Sequence, residues 1–143
     1  MIEIRHAETD TVLLTTERQT LRKADLQGAN LQGAQLRGMD LEGASLSGAD
    51  LQGALLRGAN LTGANLAGAN LAGANLMGAI LYAANLEGAN LTDATLRVAN
   101  LCGANLTQAQ LTGAKLASAC YNVKTRWSSG FNPAKYGARQ VPE

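Results

Sequence analysis

An all-β solenoid, a square column built of stacked coils, is the fold the sequence predicts, and three observations predict it. Leucine stands at every fifth position from Leu21 to Leu116, twenty times without a miss. Two residues before each of the last nineteen stands a small residue, Ala every time except Met39. Two residues after the leucine stands Gly in eleven consecutive repeats, from Gly28 to Gly78. The unit reads Ala-(Asn/Asp)-Leu-X-Gly, as in Ala59-Asn60-Leu61-Thr62-Gly63. A repeat this regular is the signature of a stacked architecture.

A helix is excluded. At about 100° per residue, five residues advance about 500°, so the leucines wind around the cylinder and bury no stripe. The fourteen glycines at one phase would each cost roughly 1 kcal/mol in a helix interior. A straight strand is excluded too, because its side chains alternate with period two and five is odd. The pattern closes only if the chain turns a corner once per repeat. Ala and Leu, two apart, then both point inward, and the residue between them points out. Leu-X-Gly-Ala forms a β-turn with Gly third, where a type II turn requires positive φ. Ala83, Asp93, Val98, Gln108 and Ser118 take the glycine's place later in the chain. A β-branched Val at positive φ is an outlier, so these corners are expected to use another turn type.

Four corners close one circuit of twenty residues, and twenty leucines make five coils. Leu fills the middle of each wall and Ala leaves room near the corners. One coil alone cannot offset its own ordering entropy, whereas a stack buries a continuous column. Met39 is the oversized inner residue of the first coil and is expected to reach toward the N-terminal end.

The repeat resembles that of the pentapeptide-repeat family, whose motif is written A(D/N)LXX, and the resemblance covers residues 24 to 118. It implies a right-handed quadrilateral β-helix of about five coils of four pentapeptides, capped at both ends. The hand is implied by the resemblance and not by the spacing.

The chain reads as one domain over residues 1–143. Residues 1–20 form an N-terminal β-type cap, 21–120 the repeat column, and 121–143 an aromatic C-terminal cap or tail. At the N-terminus, Ile2, Ile4 and His6 alternate with Glu3 and Arg5, and Val12-Leu13-Leu14 follows a turn-forming stretch. This predicts a β-hairpin or two short strands over the first coil. At the far end Tyr121 takes the place of the next leucine, and Trp127, Phe131 and Tyr136 follow. Two readings stand for these aromatics: a lid over the last coil, or a self-association surface between columns set end to end.

Composition narrows the partners. Net charge is +1. Within residues 21–120, six basic side chains (Arg22, Lys23, Arg37, Arg57, Arg97, Lys115) balance six acidic ones (Asp25, Asp40, Glu42, Asp50, Glu87, Asp93). No broad field steers such a column toward nucleic acid or anionic lipid. No apolar leader and no eighteen-residue apolar run is present, so a cytoplasmic protein without a membrane span is expected. Cys102 and Cys120 fall at outward positions on adjacent coils, offset by two residues and one coil. That is too far for an unstrained disulfide, and reduced thiols are expected. The chain has a single histidine, His6, and no Cys-x-x-Cys, so neither a metal site nor a cofactor is expected.

Wrapped at twenty residues, the outer surface is mostly polar. Asn65, Asn85 and Asn105 stack, as do Asn30, Asp50, Asn70 and Asn90, and such ladders stabilise a wall. Arg22 lies under Glu42. One edge departs from this pattern. Its corner ladder reads Arg37, Arg57, Met77, Arg97 and Ala117, with Leu55 on the same wall and Ile80 and Tyr82 around the corner. Val98 stacks over Gly78. Like charges one coil apart repel, so the arginines do not stabilise the column. Aromatic, Met and Arg side chains together make up the core of an interface; the bland alternative is scattered apolar residues, which surfaces commonly hold. The candidate partner-binding residues are therefore Arg37, Leu55, Arg57, Met77, Ile80, Tyr82, Arg97 and Val98.

Catalysis is not expected, since the repeats offer neither a positioned His nor paired carboxylates in a cleft. A non-catalytic scaffold that binds another protein, as monomer or end-to-end homodimer, is the expected function. The resemblance implies an alternative, since some pentapeptide-repeat proteins protect DNA gyrase from quinolones by mimicking DNA with an acidic, dimeric rod. This chain is similar in its coils but has neither an acidic stripe nor a projecting loop.

Overall fold

A computed structural model describes all of residues 1–143. The repeats build a β-helix in which residues twenty apart pair in parallel: Asn30 with Asp50, Asp50 with Asn70, Asn70 with Asn90. Four such ladders define four walls. Wall 1 carries Ser45, Asn65, Asn85 and Asn105 outward, and wall 2 carries Asp50, Asn70, Asn90 and Gln110. Wall 3 carries Gln35, Leu55, Asn75, Thr95 and Lys115, and wall 4 carries Asp40, Asn60, Ile80, Asn100 and Cys120. Two of every five residues are spent on a corner, so each wall contributes one bridged residue per circuit and no long strand. The inward leucines and alanines, from Leu21 to Ala119, are buried in one continuous core, with Ala29 half-buried against it.

Every corner is a turn closed by the N–H of the next inward residue, Ala or once Met39, donated to the preceding Leu carbonyl, as from Ala64 to Leu61 at 3.0 Å. Its third residue has positive φ, 66° at Gly28 and 67° at Gly73, while its second does not, which makes it type II. The expectation of a different turn at the corners without glycine is overturned. Ala83, Asp93, Val98, Gln108 and Ser118 adopt φ of 56°, 58°, 62°, 61° and 61°. Stacking overrides the local preference. At four of the five the corner N–H meets the carbonyl of the circuit above, as Asp93 meets Thr112 at 2.9 Å and Val98 meets Ala117 at 3.1 Å; Gln108 keeps the same φ without such a bond. Another turn type would break that bond and misplace the wall that follows.

Strands β1 (Ile2–Arg5) and β2 (Val12–Thr16) form the expected antiparallel hairpin, with an irregularity between Ile4 and Arg5. It docks under wall 3. His6 bridges Ala34, Gln35 donates to Arg5 at 2.8 Å, and Ala7 donates to Gly33 at 2.9 Å. Ile4 is buried in the core and Met39 is half-buried against it.

Above Leu116 the chain changes character. Asn122 is buried and its Oδ1 accepts from Gly103 N at 3.1 Å. Thr125 Oγ1 donates to Leu101 O at 2.9 Å. This detour lengthens one circuit by a residue, so Asn105 pairs with Arg126. The chain then crosses the top of the column through a 3₁₀ turn, η1 (Pro133–Tyr136). It returns over wall 4, where β4 (Arg139–Gln140) pairs in parallel with β3 (Cys120–Tyr121).

Candidate functional site

The candidate edge lies where wall 3 turns into wall 4. Around the column as a whole the commonest outward side chains are Asn and Asp, and the structure shows a reason that the repeat period does not. Their Oδ1 accepts the backbone N–H two residues on, as Asn65 from Ala67 at 3.1 Å and Asn75 from Met77 at 3.1 Å. The side chain thus satisfies the first residue of each corner. Asparagine ladders along the wall also form, but less often: Asn85 Nδ2 donates to Asn65 Oδ1 at 3.4 Å, and no such bond joins Asn105 to Asn85. On wall 4, Asn60 Nδ2 donates to Asp40 Oδ1 at 3.3 Å.

Ile80 interrupts this scheme. It offers no acceptor to Tyr82 N and exposes apolar surface instead. Ile80, Tyr82 and Val98 are 40 %, 51 % and 56 % exposed, whereas the repeat leucines around them are buried. Met77 is half-buried at the corner below Arg97. Tyr82 stands across wall 4, at its corner with wall 1. Leu55 is half-buried in the middle of wall 3. There it lines a groove of about 280 Å³ with His6, Glu8 and Gln52 beneath the hairpin turn. The cluster therefore centres on Met77, Ile80, Val98 and Tyr82, with Leu55 at its margin.

Arg37, Arg57 and Arg97 are exposed along the corner and make no ion pair. Arg22, by contrast, reaches Glu42 at 2.7 Å and Asp40 at 3.1 Å. The hydrogen bond to Asp40, followed by that to Glu42, raises the Arg22 guanidinium above its ordinary value. The Glu42 N–H and Arg22 together hold the Asp40 carboxyl below the usual carboxylate range.

The cysteines are placed differently from expectation. Cys102 is buried rather than outward, because the Asn122 detour covers its corner. Asn100 Oδ1 accepts from Cys102 N at 3.0 Å and from Cys120 Sγ at 3.6 Å, which brings the two thiols together as neighbours. Both are free. Burial, then the neighbouring Cys120, pushes the Cys102 thiol up. No group of three His, Cys, Asp or Glu side chains could hold a metal ion. No helix is long and apolar enough to cross a membrane.

The C-terminal aromatics form one stack. Tyr121 meets Trp127 edge-on at 5.5 Å, Trp127 stacks on Phe131 at 5.3 Å, and Phe131 stacks on Tyr136 at 5.0 Å. Tyr121, Trp127 and Phe131 lie against the core and Tyr136 is exposed. Trp127 Nε1 is buried without a hydrogen-bond partner.

Comparison with known proteins agrees with this architecture. The family model described as pentapeptide repeats matches residues 20–58, 44–82, 59–97 and 79–117. The chain is similar to the crystal structure of a pentapeptide repeat protein from Nostoc Pcc 7120. Identity is 43 %, coverage 71 % of this chain and 84 % of that one, and the TM-score 0.70. A pentapeptide repeat protein of the Arabidopsis thaliana thylakoid lumen is 35 % identical over 62 % of this chain and 66 % of that one, with a TM-score of 0.52. Trypsin-treated QnrB1, a plasmid-mediated fluoroquinolone resistance protein, is 17 % identical over 84 % of this chain and 79 % of its own. Its TM-score of 0.58 reflects a shared fold. No functionally curated protein matches the chain. The likeness to these solved structures implies that the solenoid is a right-handed β-helix.

Proposed function

The chain belongs to the pentapeptide-repeat family, and on that premise we propose that it is a non-catalytic scaffold that binds another protein through the wall 3–wall 4 edge. In this reading the column has five coils, closed below by the hairpin and above by the aromatic segment, and works in the cytoplasm. The observation that carries the proposal is the exposed group Ile80, Tyr82 and Val98 beside three unpaired arginines. Several members are locally unfavourable. Ile80 forgoes the side-chain bond that Asn60 makes to Thr62 N at 3.1 Å. Val98 holds φ of 62°, at a cost on the order of 1–2 kcal/mol. Stacked arginines repel. Residues that cost the free column stability and lie together on its surface are accounted for by a contact.

The test is affinity capture from cell lysate with the native chain and with the Leu55→Ser, Ile80→Ser, Tyr82→Ser variant. The expected result is a partner held by the native chain and lost by the variant. Far-UV circular dichroism should be unchanged, since Ile80 and Tyr82 are exposed, where substitutions shift stability by only about 0.5 kcal/mol, and the half-buried Leu55 lies outside the core column. Identical or empty captures overturn the proposal. Gyrase supercoiling should be unaffected by micromolar protein. Inhibition there would favour a DNA-mimicking, quinolone-protection-like role instead.

A further inference from the structure

We propose that the unpaired upper edge of wall 2 takes up an extended strand of a partner protein, completing a circuit that the chain leaves half built. Lower in the column, from Leu26 to Leu101, each Leu N–H is donated upward, and so is each corner N–H from Lys23 to Val98. Leu91 N meets Gln110 O at 2.8 Å, and Asp93 N meets Thr112 O at 2.9 Å. Above wall 1 the chain supplies the next layer itself, Leu106 N meeting Arg126 O at 2.6 Å. Above wall 4 it does so again, Arg139 N meeting Ala119 O at 2.8 Å. Between these points it does not follow walls 2 and 3. From Arg126 to Arg139 there are 13 residues, against 15 from Asn105 to Cys120 along the walls. The chain cuts across the top instead, and the N–H groups of Gln108, Leu111, Gly113 and Leu116 meet no acceptor, Leu111 and Gly113 lying side by side on wall 2.

An open groove of about 540 Å³ stands over this edge. Gln110, Leu111 and Thr112 form its floor, and Ser129, Phe131 and Tyr136 flank it. Two backbone donors two residues apart on one edge are matched by carbonyls two residues apart on an extended strand. A helix uses its carbonyls internally and cannot offer that pair. Side chains of a docked strand alternate. The inward one would lie against the parallel rings of Phe131 and Tyr136, set 5.0 Å apart, and is therefore apolar. The outward ones pass Gln110 and Thr112 into solvent and are polar. The partner is thus a strand with an apolar side chain between polar neighbours. Wall 2 lies opposite wall 4, so this site is independent of the edge carrying Ile80.

The test is amide hydrogen exchange by NMR on the full ¹⁵N-labelled chain. The probe is a synthetic peptide copying residues 86–96, the chain's own wall 2 and wall 3 sequence. At millimolar peptide, exchange at Leu111 and Gly113 is expected to slow about tenfold or more, with Leu71 and Ile80 unchanged. Tyr136→Ser, which removes the exposed flank and leaves Trp127 on Phe131, is expected to weaken that protection several-fold. Unchanged exchange at Leu111 and Gly113 overturns the proposal, as does slowing at Ile80 and Tyr82 instead. Protection that grows with protein concentration alone, with a dimer in sedimentation, also overturns it and gives the edge to a second copy.

Discussion

Val98 holds a β-branched side chain in the left-handed backbone region while facing solvent. Nothing in the column compensates it, since Gly58 and Gly78 occupy the same corner on lower circuits with open space around them. Relief of the left-handed strain outweighs the entropy that glycine adds to the unfolded chain. Val98→Gly is therefore expected to stabilise the protein by about 0.5–1 kcal/mol, read as a higher urea midpoint at constant slope. A lower midpoint would show that the valine packs usefully in the free column. The six corners without glycine, Lys23 among them with φ of 53°, mark where local sequence was a poor guide. Val98 argues on its own residue type against a type II turn, and only the bond to Ala117 shows why the turn persists. The candidate arginines and apolar residues were legible from the twenty-residue wrap. The role of asparagine as acceptor for the corner was not, because period alone does not say where a side-chain oxygen points.

At the level of elements, His6 is one of the contacts that seat the hairpin on the column. A Cβ at Gly33 would overlap the His6 imidazole, whereas one at Gly53 meets nothing. Both positions have positive φ, 66° and 67°, so alanine at either costs backbone strain of about 1 kcal/mol. At position 33 alanine must also expel His6 and loosen the bridge to Ala34. Gly33→Ala is expected to cost about 2–3 kcal/mol and to speed amide exchange in β1 and β2, while Gly53→Ala costs about 1 kcal/mol. Equal costs in denaturant would mean that His6 contributes nothing to seating the hairpin. The hairpin itself was readable, since Ile2 and Ile4 alternate with charged residues. The C-terminal path was readable only as an aromatic cluster. Asn122 and Thr125, which bend the chain off the repeat through Gly103 and Leu101, carry no periodic signal.

For the whole molecule, circuits are interchangeable but their phase is not. Deleting residues 61–65 removes one repeat and leaves Asn60 followed by Leu66, so the five-residue pattern is unbroken. Every later residue moves back by one wall. Tyr82, rather than Met77, then stands above Arg57. Nearest-neighbour stacking survives, so the variant is expected to fold with a melting temperature within several degrees of the native one. It is also expected to lose any partner bound at the wall 3–wall 4 edge. Retained binding would show that the contact does not depend on residues gathered from successive circuits.

The twenty-residue pairing also sets an order of events during synthesis. Each new wall needs only the wall laid down one circuit earlier, as Asn70 needs Asp50 and Asn90 needs Asn70. The closure distance is therefore the same at every step, and its entropic cost does not grow as the chain lengthens. Once the hairpin and the first two circuits have left the ribosome, each further repeat finds its template already standing. The last aromatic stretch to emerge meets a finished column with one side of its rim still open.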